Sequence, residues 1–238
     1  MNTIIKKIFV SFFRLIGVEL LTRSDHTANG LQPIVREFFL HQCGGILHIG
    51  AHEGQEAEMY DRLSKPVIWV EAVPLYFKRL SEKIKPFHGQ IALNALLGAQ
   101  CNDARDFFIA SNNGESSSVY PLAGNEYWKG LENSEVCKLP SKRLDCIVSE
   151  SEIREFDYWI VDVQGAELEV LKGAGALLQF CRYLQVEISQ EKFYEGGAEF
   201  QEVRVFLESE SFIPLWLPSQ AHEEIIFRNL NFSEVKYL

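Results

Sequence analysis

Short runs of apolar and β-branched residues alternate along the chain with segments in which apolar residues recur at helical spacing. Each apolar run predicts a strand buried on both faces, and these strands fall at residues 46–50, 67–71, 90–96, 158–163 and 183–188. The segments at helical spacing predict helices over residues 54–63, 74–84 and 167–178. Because such alternation is typical of βαβ units, it predicts an α/β domain around a mostly parallel sheet. Two more runs, residues 212–217 and 223–228, predict a terminal hairpin that adds an antiparallel strand.

The alternation is interrupted over residues 101–140, which contain the polar run 111–118. A segment of this length without a clear period predicts a long loop, and such loops are usually disordered or functional. Aromatic Tyr120, Tyr127 and Trp128 follow the polar run and favour a functional loop. The alternative is a surface excursion with a small apolar cluster of its own.

Residues 1–23 differ from the rest in charge, because four basic residues stand there against Glu19 alone, a net charge of +3 in a chain of −10. Their apolar residues recur near helical spacing, but Arg14 interrupts the longest run, which is too short to span a bilayer. We interpret residues 1–30 as a basic amphipathic arm resting on an anionic membrane, ahead of one domain over residues 31–238. The alternative is a helix packed on its own domain or on a second subunit of a homo-oligomer.

Composition narrows the class of protein, because 47% hydrophobic and 24% charged residues are ordinary globular values. The acidic excess disfavours nucleic acid as a partner, since binding of phosphate backbone needs a basic face. The five cysteines are widely spaced and never form a C-x-x-C pair, so neither a disulfide framework nor a zinc site is indicated, and no other cluster has metal-ligand spacing. We therefore expect a metal-independent cytoplasmic protein, held peripherally at the inner face of the membrane if the basic arm binds there.

The first predicted strand ends in His48-Ile49-Gly50-Ala51-His52-Glu53-Gly54, where the next helix begins. Glycines let backbone N–H groups approach a ligand, and a helix N-terminus adds partial positive charge, so a cofactor is expected at this turn. A dinucleotide fingerprint would have glycine where this chain has His52, which makes a dinucleotide-binding protein the less favoured alternative. Glu71 ends the second strand 21 residues past Gly50, the spacing at which nucleotide-binding α/β folds hold a ribose diol.

Two further groups of polar residues follow strand ends, where open α/β sheets bind ligands. After the third strand, Asn94 and Ala95 offer an amide and a small side chain beside which an adenine edge can lie. The fourth strand leads into Asp162, Gln164 and Glu167, which we expect at the mouth of the same crevice.

The block that starts at Asp162 reads D-V-Q-G-A-E-L-E-V-L-K-G-A. Together with H-I-G-A-H-E-G, V-E-A-V-P from residue 70, A-L-L-G after Asn94 and V-E-I-S from residue 186, it resembles the FkbM family of S-adenosylmethionine-dependent methyltransferases over roughly residues 46–189. The resemblance implies a Rossmann-like class I methyltransferase fold: a seven-stranded, mostly parallel sheet with an antiparallel C-terminal strand and helices on both faces. It also implies methylation of a hydroxyl on a natural product or a glycan.

The same resemblance implies a cofactor site at the ends of the first strands. Glu71 would hold the ribose hydroxyls, and Asp162 and Gln164 would face the methionine end or the acceptor. The other cofactor-binding positions are His48, Gly50, Ala51, Glu53, Gly54, Ala72, Asn94 and Ala95.

Two of these positions depart from the family's pattern. His48 stands where the family most often has aspartate, and Ala72 stands where the second strand commonly continues with proline. A neutral His48 either accepts a hydrogen bond from the cofactor's amino end or packs in the core. If the departure marks decay of the first motif, the chain is a non-catalytic cofactor-binding scaffold, which is the alternative to an enzyme.

A hydroxyl acceptor has a high pKa, so a general base is expected beside it. The candidates are Asp162, Glu187 at the end of the fifth strand, and His52. Residues 111–128 and 193–200 are predicted to shape the acceptor pocket. The predicted substrate-binding residues are Ser117, Ser118, Glu167 and Tyr194. No motif specifies which saccharide or small metabolite is the acceptor.

Overall fold

The computed structural model describes residues 32–124 and 126–232. The chain divides into two compact units, Met1–Val35 and Arg36–Leu238, and the second holds the sheet and the cleft. The predicted basic helix of residues 1–23 lies outside the described residues, so its membrane contact stays a prediction. None of the described helices is long and apolar enough to cross a membrane.

The described residues form ten strands and six α-helices. The strands are β1 (Ile46–Ile49), β2 (Val67–Glu71), β3 (Gln90–Asn94), β4 (Leu96–Leu97), β5 (Ala104–Ala110), β6 (Asn133–Lys142), β7 (Tyr158–Val161), β8 (Tyr183–Ser189), β9 (Phe212–Pro214) and β10 (His222–Asn229). The helices are α1 (Gln32–Gln42), α2 (Ala57–Arg62), α3 (Pro74–Ile84), α4 (Glu150–Ile153), α5 (Glu167–Ala174) and α6 (Phe200–Ser209).

Seven strands form the main sheet in the order β3-β2-β1-β7-β8-β10-β9. The pairs β1·β2, β1·β7, β2·β3 and β7·β8 are parallel, whereas β10 is antiparallel to both β8 and β9. The predicted mostly parallel sheet, its antiparallel C-terminal strand and the terminal hairpin are confirmed.

The central strands are buried on both faces, as their continuous apolar runs predict. Every residue of β1, β2 and β7 is buried. On one face, Leu47 and Ile49 belong to a core cluster with Val170 of α5 and Leu207 of α6. Side chains alternate along a strand, so His48 points to the other face, where its ring lies 6.1 Å from that of Tyr60 on α2. Helices therefore cover both faces of the sheet.

The prediction of one strand over residues 90–96 is wrong, because two strands lie there in different sheets. β3 ends at Asn94, whose side-chain amide donates to the Glu71 carbonyl oxygen at 2.8 Å and to that of Ala72 at 3.1 Å. β4 then pairs with β6. Ala95, between the two strands, is consequently placed beside the end of β2.

The prediction of a long loop over residues 101–140 is also wrong. β5 and β6 lie there and pair antiparallel, and with β4 they form a second, three-stranded sheet in the order β4-β6-β5. Most residues of β6 are exposed or half-buried, so the strand has little of the apolar pattern that reveals buried strands. Leu96, Phe107, Val119 and Ala166 form a small apolar cluster at this sheet, but Leu96 and Ala166 lie outside residues 101–140, so the cluster is not the segment's own.

The predicted helix over residues 167–178 ends earlier than expected. Gly175 has a φ of 53°, in the left-handed region, and ends α5 at Ala174. A 3₁₀ helix, Gly175–Phe180, completes the segment and buries Leu177 and Leu178.

Candidate active site

A cleft opens where β1, β2 and β7 end. It consists of two adjoining cavities of about 590 and 620 Å³, which share Gly50, His52, Glu115 and Asp162. The first cavity is also lined by Glu71, Ala72, Val73, Tyr76, Ala95, Leu96, Phe107, Ser117 and Gln164. The second is also lined by His48, Ala51, Gln55 and Glu56. All predicted cofactor-binding residues except Glu53, Gly54 and Asn94 therefore border one open space.

Gly50 brings the turn after β1 against the end of β7. Its φ is 86°, and a Cβ atom built on it would lie 1.6 Å from the Asp162 carbonyl oxygen, so no residue with a side chain fits there. The N–H groups of Gly50 and Ala51 both donate to the Val70 carbonyl oxygen, at 3.0 and 3.1 Å. The turn therefore joins three strand ends at the floor of the cleft.

Glu71, the last residue of β2, is buried at the wall of the cleft. Its Oε2 accepts the His52 N–H at 2.8 Å, and its Oε1 accepts the Val73 N–H at 2.7 Å. Burial raises the pKa of Glu71 to about 7, although these backbone N–H groups oppose the rise. Each carboxylate oxygen keeps a lone pair for a further donor. The geometry suits the predicted contact with a ribose diol.

His48 is packed in the core and also borders the second cavity. Its ring stacks on Trp69 with centroids 4.9 Å apart, and its Nδ1 lies 3.3 Å from the Tyr60 hydroxyl oxygen. Burial lowers the pKa of His48 to about 4, so the imidazole is neutral at physiological pH. Packing of His48 in the core is therefore compatible with a hydrogen bond that a neutral His48 accepts from the cofactor.

His52 has a partner at each ring nitrogen. Nε2 lies 2.9 Å from the Asn113 carbonyl oxygen, and Nδ1 lies 3.1 Å from the Gln55 amide nitrogen. Because the carbonyl accepts and the amide donates, the proton sits on Nε2 and the lone pair of Nδ1 is occupied. This geometry favours a structural role for His52 over that of a general base.

Three predicted cofactor-binding residues make protein contacts outside the lining of the cleft. Glu53 forms an ion pair with Arg79 at 2.5 Å. Gly54 is buried within the turn, where its φ of 68° favours glycine. Asn94 directs its amide to the backbone of Glu71. The structure does not place these three residues in the lining of the cleft.

Asp162, Gln164 and Glu187 form one hydrogen-bonded group where β7 and β8 end. The Gln164 amide nitrogen donates to Asp162 Oδ1 at 2.7 Å and to Glu187 Oε2, and the two carboxyl groups share a hydrogen bond. Burial raises the pKa of Asp162 well above its ordinary value and that of Glu187 to about 8. We call Asp162 and Glu187 the acid pair; it retains a proton at neutral pH.

Gln164 is held in place from several directions. Its φ of 57° is a strained conformation for a residue with a side chain, which occurs where surrounding contacts enforce it. The Tyr194 hydroxyl donates to Gln164 Oε1, and Ser118 Oγ donates to the Gln164 carbonyl oxygen at 2.6 Å. Two predicted substrate-binding residues, Ser118 and Tyr194, therefore position Gln164. The third, Ser117, accepts the Ala110 N–H at 3.0 Å and borders the first cavity.

His222 joins the acid pair and was not predicted from the sequence. Its Nε2 lies 2.9 Å from Glu187 Oε1, and its Nδ1 lies 2.9 Å from Ser189 Oγ. Burial lowers the pKa of His222, and the charge of nearby Asp162 opposes the fall. The contact depends on the register of β8 and β10, which pairs His222 with Ser189.

An aromatic cluster of Tyr127, Trp128, Phe193 and Tyr194 lies beside His222. The ring centroids of Tyr127 and Phe193 lie 5.8 and 5.1 Å from that of His222, and 4.3 Å from each other. Trp128 contacts Phe193 and Tyr194 at 5.9 and 5.4 Å. Tyr127 is 56% exposed, whereas Phe193 and Tyr194 are buried, so the ring of Tyr127 is the part of the cluster that solvent reaches most. The two segments predicted to shape the acceptor pocket meet in this cluster.

Glu167, the fourth predicted substrate-binding residue, lies outside the lining of the cleft. Its Oε1 accepts the N–H groups of Val163 and Gly165 at 3.1 and 3.0 Å, which caps the turn after β7. Burial raises the pKa of Glu167 to about 7. The carboxyl group stabilises the turn that carries the acid pair.

The raised pKa values of Glu71 and Glu167 predict that stability falls as pH rises. Between the ordinary pKa of 4.5 and about 7, the folded chain holds protons that the unfolded chain has released. Folding therefore binds protons, and the free energy of unfolding decreases with pH over this range. We expect Glu167→Gln to flatten the dependence and to raise the melting temperature at pH 8, because glutamine mimics the protonated acid. Thermal melts at pH 5, 6.5 and 8 measure both effects.

The matched control is Glu53→Gln, which removes a half-buried carboxyl group whose pKa is lowered by its hydrogen bond with Arg79. It should leave the downward slope in place. A pH dependence in Glu167→Gln that is as steep as that of the wild type would contradict the assignment.

Comparison with known proteins places the chain among methyltransferases. Residues 48–214 match the family model described as the methyltransferase FkbM domain. The chain is also similar to the 2-O-methyltransferase NoeI of Sinorhizobium fredii (strain NBRC 101917 / NGR234), with 24% identity over 196 residues that cover 77% of this chain and 79% of that protein.

Solved structures to which the chain is similar include a SAM-dependent methyltransferase from Aquifex aeolicus, at a TM-score of 0.47 and 13% identity over 83% of this chain and 87% of that one. Another is the magnesium protoporphyrin IX methyltransferase ChlM from Synechocystis PCC 6803 with bound SAM. Its TM-score is 0.45, and its sequence identity is 11% over 96% of this chain and 85% of that one. The family model covers well over half of this chain. The chain therefore belongs to the FkbM methyltransferase family, has the class I methyltransferase fold, and uses S-adenosylmethionine as its cofactor.

Proposed function

We propose that this protein is an O-methyltransferase that methylates a hydroxyl group of a saccharide. The observation that carries the proposal is the acid pair, whose Asp162 borders the cleft, with an aromatic cluster beside it that is exposed at Tyr127. A hydroxyl acceptor has a high pKa and loses its proton during the transfer, so a base beside it is expected. The name of the 24% identical relative, a 2-O-methyltransferase, supports oxygen as the methylated atom.

The residues that line the cleft are of the kinds that S-adenosylmethionine needs. Gly50 leaves the floor of the cleft free of a side chain, so a ligand can approach the backbone closely. Glu71 offers two carboxylate oxygens to the ribose hydroxyls, and Ala72 and Ala95 give small apolar walls for the adenine. His48 and Asp162 border the second cavity, where they would hold the methionine portion.

When bound, S-adenosylmethionine would supply a methyl group attached to a positively charged sulfur. The sulfur is the leaving group when an acceptor oxygen takes the methyl group. The residues of this chain orient the acceptor hydroxyl and take its proton. Orientation accounts for about 7–11 kcal/mol of barrier lowering in well-aligned reactions, and a general base adds roughly 10²–10⁴-fold. In the acid pair, the ionised member is the base, and its raised pKa makes it a stronger base than an ordinary carboxylate.

His222 determines which atoms of its own ring and of Glu187 share a proton. Its Nδ1 has the Ser189 hydroxyl as partner, and its Nε2 faces Glu187. A neutral imidazole in this position donates to Glu187 Oε1 and stabilises its ionised form. His222 therefore acts on the acceptor through Glu187, as a positioning residue.

The aromatic cluster supports a saccharide as the acceptor. Sugar rings have apolar C–H faces that pack on aromatic side chains, while their hydroxyl groups form hydrogen bonds with carboxylates. Tyr127 is exposed, and its ring contacts those of Phe193 and His222. A sugar ring on Tyr127 would therefore lie beside the group that contains Glu187.

The test is methyl transfer from radiolabelled S-adenosylmethionine to panels of oligosaccharides, peptides and RNA. We expect incorporation into an oligosaccharide, with the label on a hydroxyl oxygen by mass spectrometry of the product. Incorporation into peptide or RNA alone would overturn the saccharide assignment. Tight cofactor binding with no transfer to any panel would favour the non-catalytic scaffold.

Replacing Glu71 should weaken cofactor binding without unfolding the protein. A hydrogen bond to a charged group contributes about 1.5–3 kcal/mol, so we expect a loss of roughly 10–100-fold in affinity for Glu71→Ala and about 10-fold for Glu71→Gln. Because burial raises the pKa of Glu71 to about 7, wild-type affinity should also fall as pH decreases below 7. Calorimetric titration with S-adenosylmethionine measures both.

Glu53→Gln, in the turn after β1 but outside the lining of the cleft, is the control and should bind like the wild type. Full affinity in Glu71→Ala would remove Glu71 from the cofactor site. Absence of binding by a folded wild type would overturn the enzyme assignment itself.

A further inference from the structure

Cys101 and Cys146 face each other away from the cleft. Their Sγ atoms are in hydrogen-bond contact at 2.7 Å, although the residues are 45 positions apart in sequence. Cys101 follows β4, and Cys146 ends the 3₁₀ helix Leu144–Cys146 after β6. The parallel pairing of β4 with β6 brings the two segments together, which is why the sequence spacing of the cysteines gives no indication of the contact.

The two thiols have different environments, although they touch. The Arg143 N–H donates to Cys101 Sγ at 3.3 Å. The contact with Cys146 and this N–H lower the pKa of Cys101, and the same contact raises the pKa of Cys146. Cys146 is exposed and Cys101 is half-buried. The pair therefore combines a thiolate-favouring cysteine with an accessible partner, as reactive dithiols do.

The other three cysteines lack these features. Cys43 and Cys181 are buried, and burial raises the pKa of both thiols. Cys137 is half-buried, and partial burial raises its pKa too. Reactivity follows thiolate content and access, so the five cysteines divide into one reactive pair and three inert residues.

We propose that Cys101 and Cys146 form a reversible redox site that reacts with a low-molecular-weight disulfide such as glutathione disulfide. The Cys101 thiolate attacks one sulfur of glutathione disulfide, forms a mixed disulfide and releases one glutathione. The Cys146 thiolate then attacks Cys101 Sγ, which closes the protein disulfide and releases the second glutathione. Two electrons pass from the protein to glutathione, and the two thiol protons end on the two released glutathione molecules.

The disulfide closes a loop that carries one wall of the cleft. Residues 101–146 include β5 and β6, and Phe107, Glu115 and Ser117 within them line the first cavity. A covalent link across the base of this loop reduces the freedom of the unfolded chain and stabilises the folded one. Oxidation should therefore raise the melting temperature, and the rise should disappear on reduction.

The experiment incubates the full-length protein in glutathione buffers of increasing oxidised fraction. We expect the number of titratable thiols in the unfolded protein to fall from five to three, and peptide mass mapping to find the Cys101–Cys146 link. The melting temperature should rise by roughly 5–10 °C and return to its starting value after treatment with dithiothreitol. The midpoint of the titration gives the potential of the pair.

Serine variants separate the pair from the other cysteines. Cys137→Ser should leave the oxidation unchanged, whereas Cys101→Ser should prevent the internal link and abolish the shift in melting temperature. Five free thiols in wild type at every glutathione ratio would overturn the proposal, as would a mapped link that involves Cys137. The wild-type comparison of oxidised and reduced protein decides the question even if a variant does not fold.

Discussion

Asp162→Asn and Glu187→Gln are each expected to slow methyl transfer to a hydroxyl by about 10²–10⁴-fold, and the double variant should be no slower than the slower single variant. Both substitutions keep the shape of the side chain and an acceptor oxygen, so Gln164 retains partners. Each substitution removes one of the two carboxyl groups between which the proton is shared. Residues that act as one unit are not additive, because the first loss already removes the function.

The pH dependence of the rate follows from the same pair. A base works only when ionised, and burial raises the pKa of Glu187 to about 8. The wild-type rate should therefore increase with pH through about 8, and this step should be lost in Glu187→Gln. His222→Gln keeps a hydrogen-bond donor but removes the ring, so we expect it to shift the midpoint of the profile rather than abolish the rate.

The measurements are single-turnover rates with the oligosaccharide that gives turnover in the panel, and calorimetric affinities for the cofactor as a separate readout. Glu208→Gln, which removes a surface carboxylate paired with Arg204 on α6, should leave the rate unchanged. Multiplicative losses in the double variant would show that the two carboxyl groups act independently. An unchanged rate in both single variants would remove the pair from the chemistry.

Buried strands with a continuous apolar pattern are the part of this fold that sequence reveals. β2 and α3 have the predicted limits, residues 67–71 and 74–84. The position of Glu71 at the wall of the cleft could be predicted as well, because a strand end and a spacing from Gly50 are both local properties of the chain. The core of a parallel sheet leaves few choices of residue, so its signal is strong.

Elements with weak or mixed patterns could not be found in the same way. β6 has an exposed face with Lys, Ser and Pro, and its partner β5 lies 23 residues before it. Helix α6 is also absent from the predicted elements, although its buried residues Phe200, Val203 and Leu207 recur at helical spacing. β6 is hard to predict for a physical reason, since pairing rather than burial holds the strand. The helix α6, in contrast, has a clear apolar pattern in the sequence.

Contacts within the site depend on register and on turn geometry. His222 reaches Glu187 only because β10 pairs antiparallel with β8 at one register, and a slip by one residue would turn it to the other face. Glu167 stands beside the D-V-Q-G motif in sequence, yet its carboxyl group caps the turn and not a ligand. A strand-end position alone therefore does not distinguish a ligand contact from a cap.

Gly50→Ala is expected to lower cofactor affinity at least 100-fold and to lower the melting temperature by about 10 °C. The added Cβ would lie 1.6 Å from the Asp162 carbonyl oxygen, and a backbone oxygen between two paired strands cannot move aside as a side chain does. The turn after β1 must then separate from the end of β7. That movement shifts Asp162 relative to Glu71, so the two sides of the cleft no longer match one ligand.

Gly130→Ala isolates the steric part of this effect. Gly130 has a φ of 83°, nearly the 86° of Gly50, but a Cβ atom there would meet nothing within 4 Å. Both variants therefore have the same backbone strain, about 1–2 kcal/mol, and only Gly50→Ala has the clash. Gly130→Ala should melt about 3 °C below wild type and bind S-adenosylmethionine normally. If the two variants lose equal stability and both keep full affinity, the close approach of Gly50 to β7 has no role in forming the site.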